Sequence, residues 1–356
     1  MSNREFNWVD YEVSVPASVA REMRWLATAQ AAAPGVEVPG APPEILLSIP
    51  LPDLNGHPTP RDKAKILLDS AAEVEHALMV RYLYAAYSLK GSDEAPPEFQ
   101  DVLDEGSRRS WPQTLRAIAR EEMGHFMTVQ NLLIFLGLAP NFEREDCPPR
   151  DDLYPFRLKL QPLTRSSLAK YVAAEAPGDA TGIQDIIDLA TEKAGTMVNR
   201  VGILYGLLGL VFARQDQIDP GATEDARWNA IVRAIRDAAY QQDCEPGHWH
   251  LPDRELRPET FEQQADPDDW NIGQLRVHRV KDRALAVDAI RDIGVQGEGP
   301  TSGDETAHFE RFLRIFRGGD GLPPFPPEGS WVPTRQVPIN PKAEDFPYSA
   351  RAAGQN

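Results

Sequence analysis

Long stretches of the chain carry apolar residues every three or four positions, which is the spacing of one face of an α-helix. The first such stretch follows "TPRD", where Thr59 is the expected N-cap, and it runs to about Leu89. A second begins at "SWPQ", with Ser110 and Gln113 as an expected capping box, and ends at Gly137. Almost no stretch alternates with a period of two, so the pattern predicts a mainly α protein.

The later elements are shorter, and proline-rich segments separate them. Residues 138–180 contain one short helical segment and are expected to be a long crossover, after which a third helix runs from "TGIQ" to about Ala213. Two further helical runs, "KDRALAVDAIRDI" and "DETAHFERFLRIF", follow a polar insert at 215–275. Long helices with a long crossover between the second and the third predict a four-helix bundle. The expected parts are an N-terminal wrapping segment (1–58), the bundle (59–317) and a Pro-rich C-terminal tail, either a strap or an arm (318–356).

Composition and charge narrow the classes of partner. The chain of 356 residues is 42% hydrophobic and 26% charged, as is ordinary for globular proteins, and its net charge of −17 argues against binding to nucleic acid or to anionic membranes. No apolar run reaches the length of a membrane span, and the first residues lack the apolar core of a signal peptide. Cys147 and Cys244 lie in polar segments without a CxxC motif, which favours a reducing compartment. We expect a cytoplasmic protein with a small-molecule substrate and leave a homo-oligomer open.

The apolar stripe of the second helix is interrupted by Glu122 and His125, which are three residues apart and therefore share one helix face. The stripe of the first helix is interrupted in the same way by Glu75. An unpaired buried carboxylate is costly, so these residues need partners. The partners could be metal ions, or arginines such as Arg81 or Arg120 in ion pairs.

A second Glu-x-x-His pair is Glu305–His308. Two such pairs and two single glutamates hold the two metal ions of di-iron and di-manganese bundles. The alternatives are that Glu305 forms a capping box with Ser302, and that His308 is a core histidine with an ordinary hydrogen-bond partner. Between Glu192 and Asp216 the third helix carries no carboxylate, so a full set of four glutamates and two histidines is not present.

Several motifs resemble a known family. They are "LLDSAAEVEHALMVRYLYAAYSL", "IAREEMGHFMTVQNLLIFLG", "PLTRSSLAKYVAAE" and "QGEG…HFERF" with "VPINP", and they extend from about residue 62 to residue 342. They resemble the ferritin-like domain family, which includes the domain found in iminophenyl-pyruvate dimer synthases of bisindole pathways. The resemblance implies a ferritin-like four-helix bundle with a metal site, whose pattern is matched at Glu75, Glu122, His125 and His308.

The resemblance also implies two departures from the family pattern. Ile203 stands where the family usually carries an acidic residue in the third helix, and Val295 stands where relatives often carry a glutamate. The loss of these ligands leaves three alternatives: a single metal ion, an open coordination position for substrate or oxygen, or a bundle that no longer binds metal.

The leading hypothesis is a non-haem metal oxidoreductase that uses dioxygen or peroxide on a small organic substrate in specialised metabolism, an amino-acid derivative being one candidate. Carboxylate-rich ligands favour a hard metal, here one or two iron ions with manganese as an alternative. Tyr82, on the inward face of the first helix, is the candidate catalytic residue, as a hydrogen-bond donor or radical quencher. The other hypotheses are a metal-free synthase that couples imino acids and a non-catalytic binding or assembly protein with a decayed site. The expected metal ligands are Glu75, Glu122, His125, Glu305 and His308.

Overall fold

The computed structural model is helical, as the sequence pattern predicts. It describes residues 54, 59–143, 159–177, 180–192, 201–214, 226–242, 246–270, 275–298 and 306–341. The α-helices in these ranges are α1 (Pro60–Ser88), α2 (Pro97–Leu103), α3 (Trp111–Phe135), α4 (Arg165–Ala174), α5 (Gln184–Thr191), α6 (Val201–Phe212), α7 (Ala226–Gln242), α8 (Pro267–Trp270), α9 (Arg283–Glu298) and α10 (His308–Arg317). The described residues contain no β-strand, only the isolated bridges Leu89–Thr334 and Gly319–Leu322.

Four of these helices form the bundle. Helix α1 packs along α3, α6 packs along α9, and the two pairs meet where α1 contacts α6 and α9 contacts α3. Side chains such as Leu67, Leu132 and Leu208 are completely buried between them, and each contributes about 1.5–3 kcal/mol to the hydrophobic term of folding. Helices α4 and α5 lie in the long crossover, so the predicted four-helix bundle with a long crossover is confirmed. None of the described helices is both long enough and apolar enough to cross a membrane.

The predicted start of α1 is confirmed. Thr59 Oγ1 accepts a hydrogen bond from the Asp62 backbone N–H at 3.1 Å, and Asp62 Oδ2 accepts one from the Thr59 N–H at 3.3 Å. This capping box satisfies donors that have no partner inside the helix. At the end of α3, Gly137 adopts the left-handed φ of 65° that terminates many helices.

Half of the capping box predicted for α3 is wrong. Ser110 Oγ accepts from the Gln113 backbone N–H at 3.3 Å, but the Gln113 side chain donates to the carbonyl oxygen of Glu105. The Ser110 backbone N–H already donates to the Ser107 carbonyl oxygen, so it is not available to Gln113. Only the serine half of the cap therefore stabilises this helix end.

The prediction of one continuous third helix is also wrong. Helix α5 ends at Thr191, because its C-cap Glu192 adopts a left-handed φ of 56°. Its N-cap is Ile183, without a side-chain hydrogen bond. The apolar run forms a separate helix, α6, and residues 193–200 between the two lie outside the described residues. The last helix, α10, begins at His308 after the N-cap Ala307.

The described part of the Pro-rich tail lies against the bundle as a strap. The Lys90 N–H donates to the Pro333 carbonyl oxygen at 2.8 Å, and the Arg335 N–H donates to the Ser88 carbonyl oxygen at 2.7 Å. Phe325 is 2% exposed and belongs to the core. The division of the chain at residues 58 and 317 stays a prediction, because all described residues belong to one compact unit, Glu44–Asn356.

Candidate metal centre

The packing of α1 on α3 brings three of the predicted ligands together. His125 Nδ1 lies 2.8 Å from Glu122 Oε2 and 3.5 Å from Glu75 Oε2. All three residues are buried, with exposures between 1% and 5%. The alternative of ion pairs with Arg81 or Arg120 is wrong, because both carboxylates face histidine in the part of the chain that the structure describes.

A second group forms on the other side of Glu122. His308, the first residue of α10, has its Nδ1 atom 2.9 Å from Glu122 Oε1 and 3.8 Å from Oε2 of Glu175, the residue that ends α4. Within each group of three residues, the potential ligand atoms lie within 4.8 Å of one another. Glu122 is therefore shared, with one oxygen facing each group.

Glu75 and Glu175, the glutamates that are not shared, each accept a hydrogen bond from a tyrosine through Oε1. The Tyr205 hydroxyl donates to Glu75 Oε1 at 2.5 Å, and the Tyr82 hydroxyl donates to Glu175 Oε1 at 2.6 Å. Burial, together with the nearby carboxylates, raises the pKa of both tyrosines well above the usual value, so both are neutral donors at pH 7. The second oxygen of each glutamate is left to face its group.

A chain of hydrogen bonds joins the outer nitrogens of the two histidines. His125 Nε2 lies 2.9 Å from Gln296 Oε1, and His308 Nε2 lies 2.8 Å from Glu121 Oε2. The Gln296 amide donates to the same Glu121 oxygen at 3.1 Å, and Arg311 donates to both oxygens of Glu121. Because the partners of both Nε2 atoms are acceptors, each Nε2 carries the hydrogen, and in the neutral rings Nδ1 keeps the lone pair that can bind a metal.

The charges inside the centre are strongly coupled. Burial, together with the charge of Glu122, raises the pKa of Glu75 to about 8. Burial opposes ionisation of Glu122, but the attraction of His308 and the hydrogen bond to His125 outweigh it and lower the pKa of Glu122. Burial also opposes a charge on His125, yet hydrogen bonds to Glu122 and Glu75 raise the pKa of that histidine to about 10. Without a metal, the negative charge of Glu122 therefore keeps Glu75 and His125 protonated at pH 7.

Three buried atoms of the centre make no hydrogen bond of acceptable geometry: Glu75 Oε2, Glu122 Oε1 and His308 Nδ1. Glu122 Oε1 and His308 Nδ1 lie 2.9 Å apart, and Glu75 Oε2 lies 3.5 Å from His125 Nδ1, so the atoms face one another across the centre. This arrangement tests whether the residues fit a metal. Unsatisfied buried polar atoms are rare and costly, and a bound cation is one of the few explanations for such a cluster. Three carboxylates and two imidazoles form an oxygen-rich ligand set that fits iron or manganese better than zinc or copper.

The departures from the family pattern have a structural counterpart. Ile203 lies on α6 two residues before Tyr205, and Val295 lies on α9 beside Gln296. Among the side chains that the structure describes, these two helices contribute hydrogen-bonding residues and no member of the two groups. Glu175 and His308 of the second group come instead from the end of α4 and the start of α10, outside the four bundle helices. Glu305 lies outside the described residues, so its assignment as a ligand stays a prediction.

The sequence pattern did not identify Glu175, Glu121 or Gln296. Glu175 carried the clearest signal, because Leu168, Val172 and Glu175 recur at helical spacing and the glutamate follows an otherwise apolar face. Glu121 and Gln296 have no comparable pattern, since a residue that hydrogen-bonds to a ligand from behind follows no fixed spacing.

The comparison with protein families confirms the ferritin-like class of the bundle. A family model described as ferritin-like matches residues 68–317. The dichlorochromopyrrolate synthase of Lentzea aerocolonigenes is 29% identical over 135 residues, which cover 33% of this chain and 13% of that protein. The 2-imino-3-(indol-3-yl)propanoate dimerase of Chromobacterium violaceum is 31% identical over 127 residues, which cover 31% of this chain and 13% of that protein. No solved structure matches the chain.

Proposed function

The chain belongs to the ferritin-like family, and we propose that it is a non-haem metal oxidoreductase, iron-dependent with manganese as the alternative, acting on a small organic substrate. The observation that carries the proposal is the pair of buried groups that share Glu122, in which potential ligand atoms of Glu75, Glu122 and His308 face one another without a hydrogen bond of acceptable geometry. Without a metal ion, burying these carboxylates and imidazoles together would cost folding free energy that no ligand offsets.

The two groups would hold one ion each. Glu75, Glu122 and His125 would bind the first ion, and Glu122, Glu175 and His308 would bind the second. Bound iron would supply one-electron redox chemistry together with affinity for dioxygen or peroxide. A third-helix position occupied by Ile203 instead of a carboxylate leaves fewer protein ligands, and thus a coordination position for a substrate or oxidant.

The residues around the ligands orient them. The hydroxyl groups of Tyr82 and Tyr205 fix the planes of the outer carboxylates, while Gln296 and Glu121 fix the hydrogen of each histidine on Nε2. Such outer hydrogen bonds tune ligand basicity and metal affinity. Tyr82 would also be the catalytic residue expected from the sequence, as a hydrogen-bond donor or radical quencher beside the site.

The relatives suggest the class of substrate. One is named as a dimerase of an imino acid that carries an indole ring, and the other as a synthase of a dichlorochromopyrrolate. We propose an amino-acid-derived imino acid with an aromatic side chain as the substrate of this chain. The matches cover only 13% of each relative, so the support comes from the shared domain and not from the whole proteins.

The test is metal-dependent oxidation by the full chain. The purified protein is stripped with chelator, reloaded anaerobically with Fe(II) or Mn(II), and assayed for oxygen or peroxide consumption with indole-3-pyruvate and ammonium, which form the imino acid in solution. We expect consumption only in the loaded protein, loss of consumption in Glu122→Ala, and wild-type behaviour in Glu105→Ala, where the glutamate is exposed and pairs with Arg116.

Three results would speak against the proposal in different ways. Imino-acid coupling at the same rate with and without metal would favour the metal-free synthase. Metal binding without oxygen or peroxide consumption would contradict the oxidoreductase. No metal binding by a folded wild-type protein would leave a non-catalytic ferritin-like module.

A further inference from the structure

A second cavity lies outside the candidate metal centre, between the start of α3 and the outer face of α10. Its volume is about 470 Å³, within the range of small-molecule sites. Five arginines line it against one acidic residue, Glu310, although the chain as a whole has a net charge of −17. The arginines are Arg108, Arg109, Arg311, Arg314 and Arg317.

Several of these guanidinium groups are available to a ligand. Arg108 is exposed and has no hydrogen bond or ion pair with a described residue. Arg314 is 59% exposed and pairs with Asp320, which is itself 80% exposed, so this ion pair is weak and easily exchanged. The other three are already paired: Arg311 donates to both oxygens of the buried Glu121, while Arg109 and Arg317 pair with Asp101 and Asp185. Arginine pairs well with carboxylates because its planar donors match both oxygens.

The cavity also has an apolar wall. Leu313 and Leu322 are half-buried and line it beside the arginines, while Trp111 lies buried behind them. An apolar wall with arginines beside it suits a ligand that combines an apolar ring with a carboxylate. A volume of about 470 Å³ exceeds what a bare phosphate ion needs.

We propose that this cavity is a binding site for an aromatic carboxylate, in which the arginines bind the carboxylate and the wall formed by Leu313 and Leu322 contacts the ring. None of the five clustered residues of the candidate metal centre lines the cavity. Arg311 connects the two places, because it lines the cavity and donates to Glu121, which accepts a hydrogen bond from His308. The proposal needs no metal and does not rest on the proposed function.

The test is binding of three probes to the full-length protein by isothermal titration calorimetry at constant ionic strength. Indole-3-acetate carries both the ring and the charge, indole-3-acetamide carries the ring alone, and inorganic phosphate carries the charge alone. We expect indole-3-acetate to bind at one site and about tenfold or more tightly than either of the others, since each lacks one of the two interactions.

Variants locate the site. Arg314→Gln and Arg108→Gln should each weaken indole-3-acetate binding about five- to tenfold. The control is Arg335→Gln, since Arg335 is 57% exposed and pairs with Glu94, much as Arg314 is 59% exposed and pairs with Asp320. The control should keep the wild-type affinity within twofold. Far-ultraviolet circular dichroism checks that the variants keep the helical fold.

Four results would overturn the proposal. They are equal binding of indole-3-acetate and indole-3-acetamide, equal binding of indole-3-acetate and phosphate, absence of saturable indole-3-acetate binding, and unchanged binding in both Arg314→Gln and Arg108→Gln. Loss of binding in Glu122→Ala combined with unchanged binding in the two arginine variants would assign the ligand to the metal centre instead. That result would leave the proposed function standing.

Discussion

Glu121 is not one of the clustered ligands, but it accepts a hydrogen bond from one of them, His308, and the structure predicts a large effect when it is changed. Its carboxylate is 3% exposed and accepts from His308, Gln296 and Arg311. Burial opposes its ionisation, but the hydrogen bonds from His308 and Arg311 outweigh burial and lower the pKa of Glu121 to about 2. The carboxylate is therefore charged at pH 7, and Glu121→Gln removes that charge without changing the size of the side chain.

The size of the effect follows from these contacts. A glutamine can keep one acceptor oxygen towards His308, but its NH₂ group then faces the donors of Arg311, so one charged hydrogen bond is lost. Such bonds are worth about 1.5–3 kcal/mol, and breaking a fully buried pair costs about 3–5 kcal/mol. Arg311 is 18% exposed and keeps some water, so we expect the unfolding free energy to fall by about 2–3 kcal/mol. Metal affinity should fall about 10- to 100-fold.

Two assays separate these effects. Urea denaturation of the metal-free proteins gives the unfolding free energy, and competition with a coloured chelator gives the affinity for Mn(II). Glu105→Gln is the matched control, because Glu105 also pairs with an arginine, Arg116, but is 62% exposed, and such pairs contribute about 1 kcal/mol or less. If Glu121→Gln binds Mn(II) as tightly as Glu105→Gln, the outer hydrogen bonds do not prepare His308 for metal, and the reasoning is refuted.

The remaining predictions concern the tyrosine, the titration and the packing of the centre. Tyr205→Phe removes the hydrogen bond to Glu75, so metal affinity should fall about tenfold in the chelator competition. In the metal-free protein the pKa values of Glu75 and His125 are raised to about 8 and about 10. Their proton-dependent stabilisation is complete below the unfolded values of 4.5 and 6.5 and is lost above the folded ones, so the unfolding free energy should fall between pH 7 and pH 10. Gly124→Ala places a methyl group against the backbone carbonyl oxygen of Arg276 and should lower the unfolding free energy by about 1–3 kcal/mol in urea.

Each of these predictions has its own control. Tyr171→Phe removes a buried hydroxyl that contacts no clustered ligand and should leave metal affinity unchanged; an equal loss in both tyrosine variants would point to general destabilisation. Glu75→Gln should flatten the pH dependence near pH 8, and an unchanged slope would contradict the assignment to Glu75. Gly106→Ala, whose added methyl group would meet only Asp104 at 3.5 Å, should be nearly neutral, so a similar cost at both glycines would contradict the packing argument.

The long helices were the most predictable part of the fold, because each combines a long apolar stripe with a definite start. Thr59 and Ser110 mark the two longest ones, and both are N-caps in the structure. The predictions failed where another interaction or conformation replaced the one that the local pattern indicated. The Gln113 side chain donates to a carbonyl oxygen outside the helix instead of completing the capping box. The backbone at Glu192 is left-handed although that position is neither glycine nor proline.

The first half of the centre was predictable for the same reason. Glu75, Glu122 and His125 each interrupt an apolar stripe on a long helix, so their inward direction could be deduced, and the structure brings them together. His308 was predicted beside them, whereas Glu175 was not, because it ends a short helix in a segment interpreted as a connection. A residue that reaches a bundle core from a crossover depends on tertiary packing, which no period in the sequence encodes.

The central claim is that Glu122 is shared between two metal-binding groups. The most direct test is the metal content per chain of the purified protein, Glu175→Ala and Glu122→Ala after reloading with Fe(II) or Mn(II), measured by elemental analysis. We expect two ions per chain in the wild type, about one in Glu175→Ala, and none in Glu122→Ala. Equal metal content in all three folded proteins, or no metal in the wild type, would contradict it.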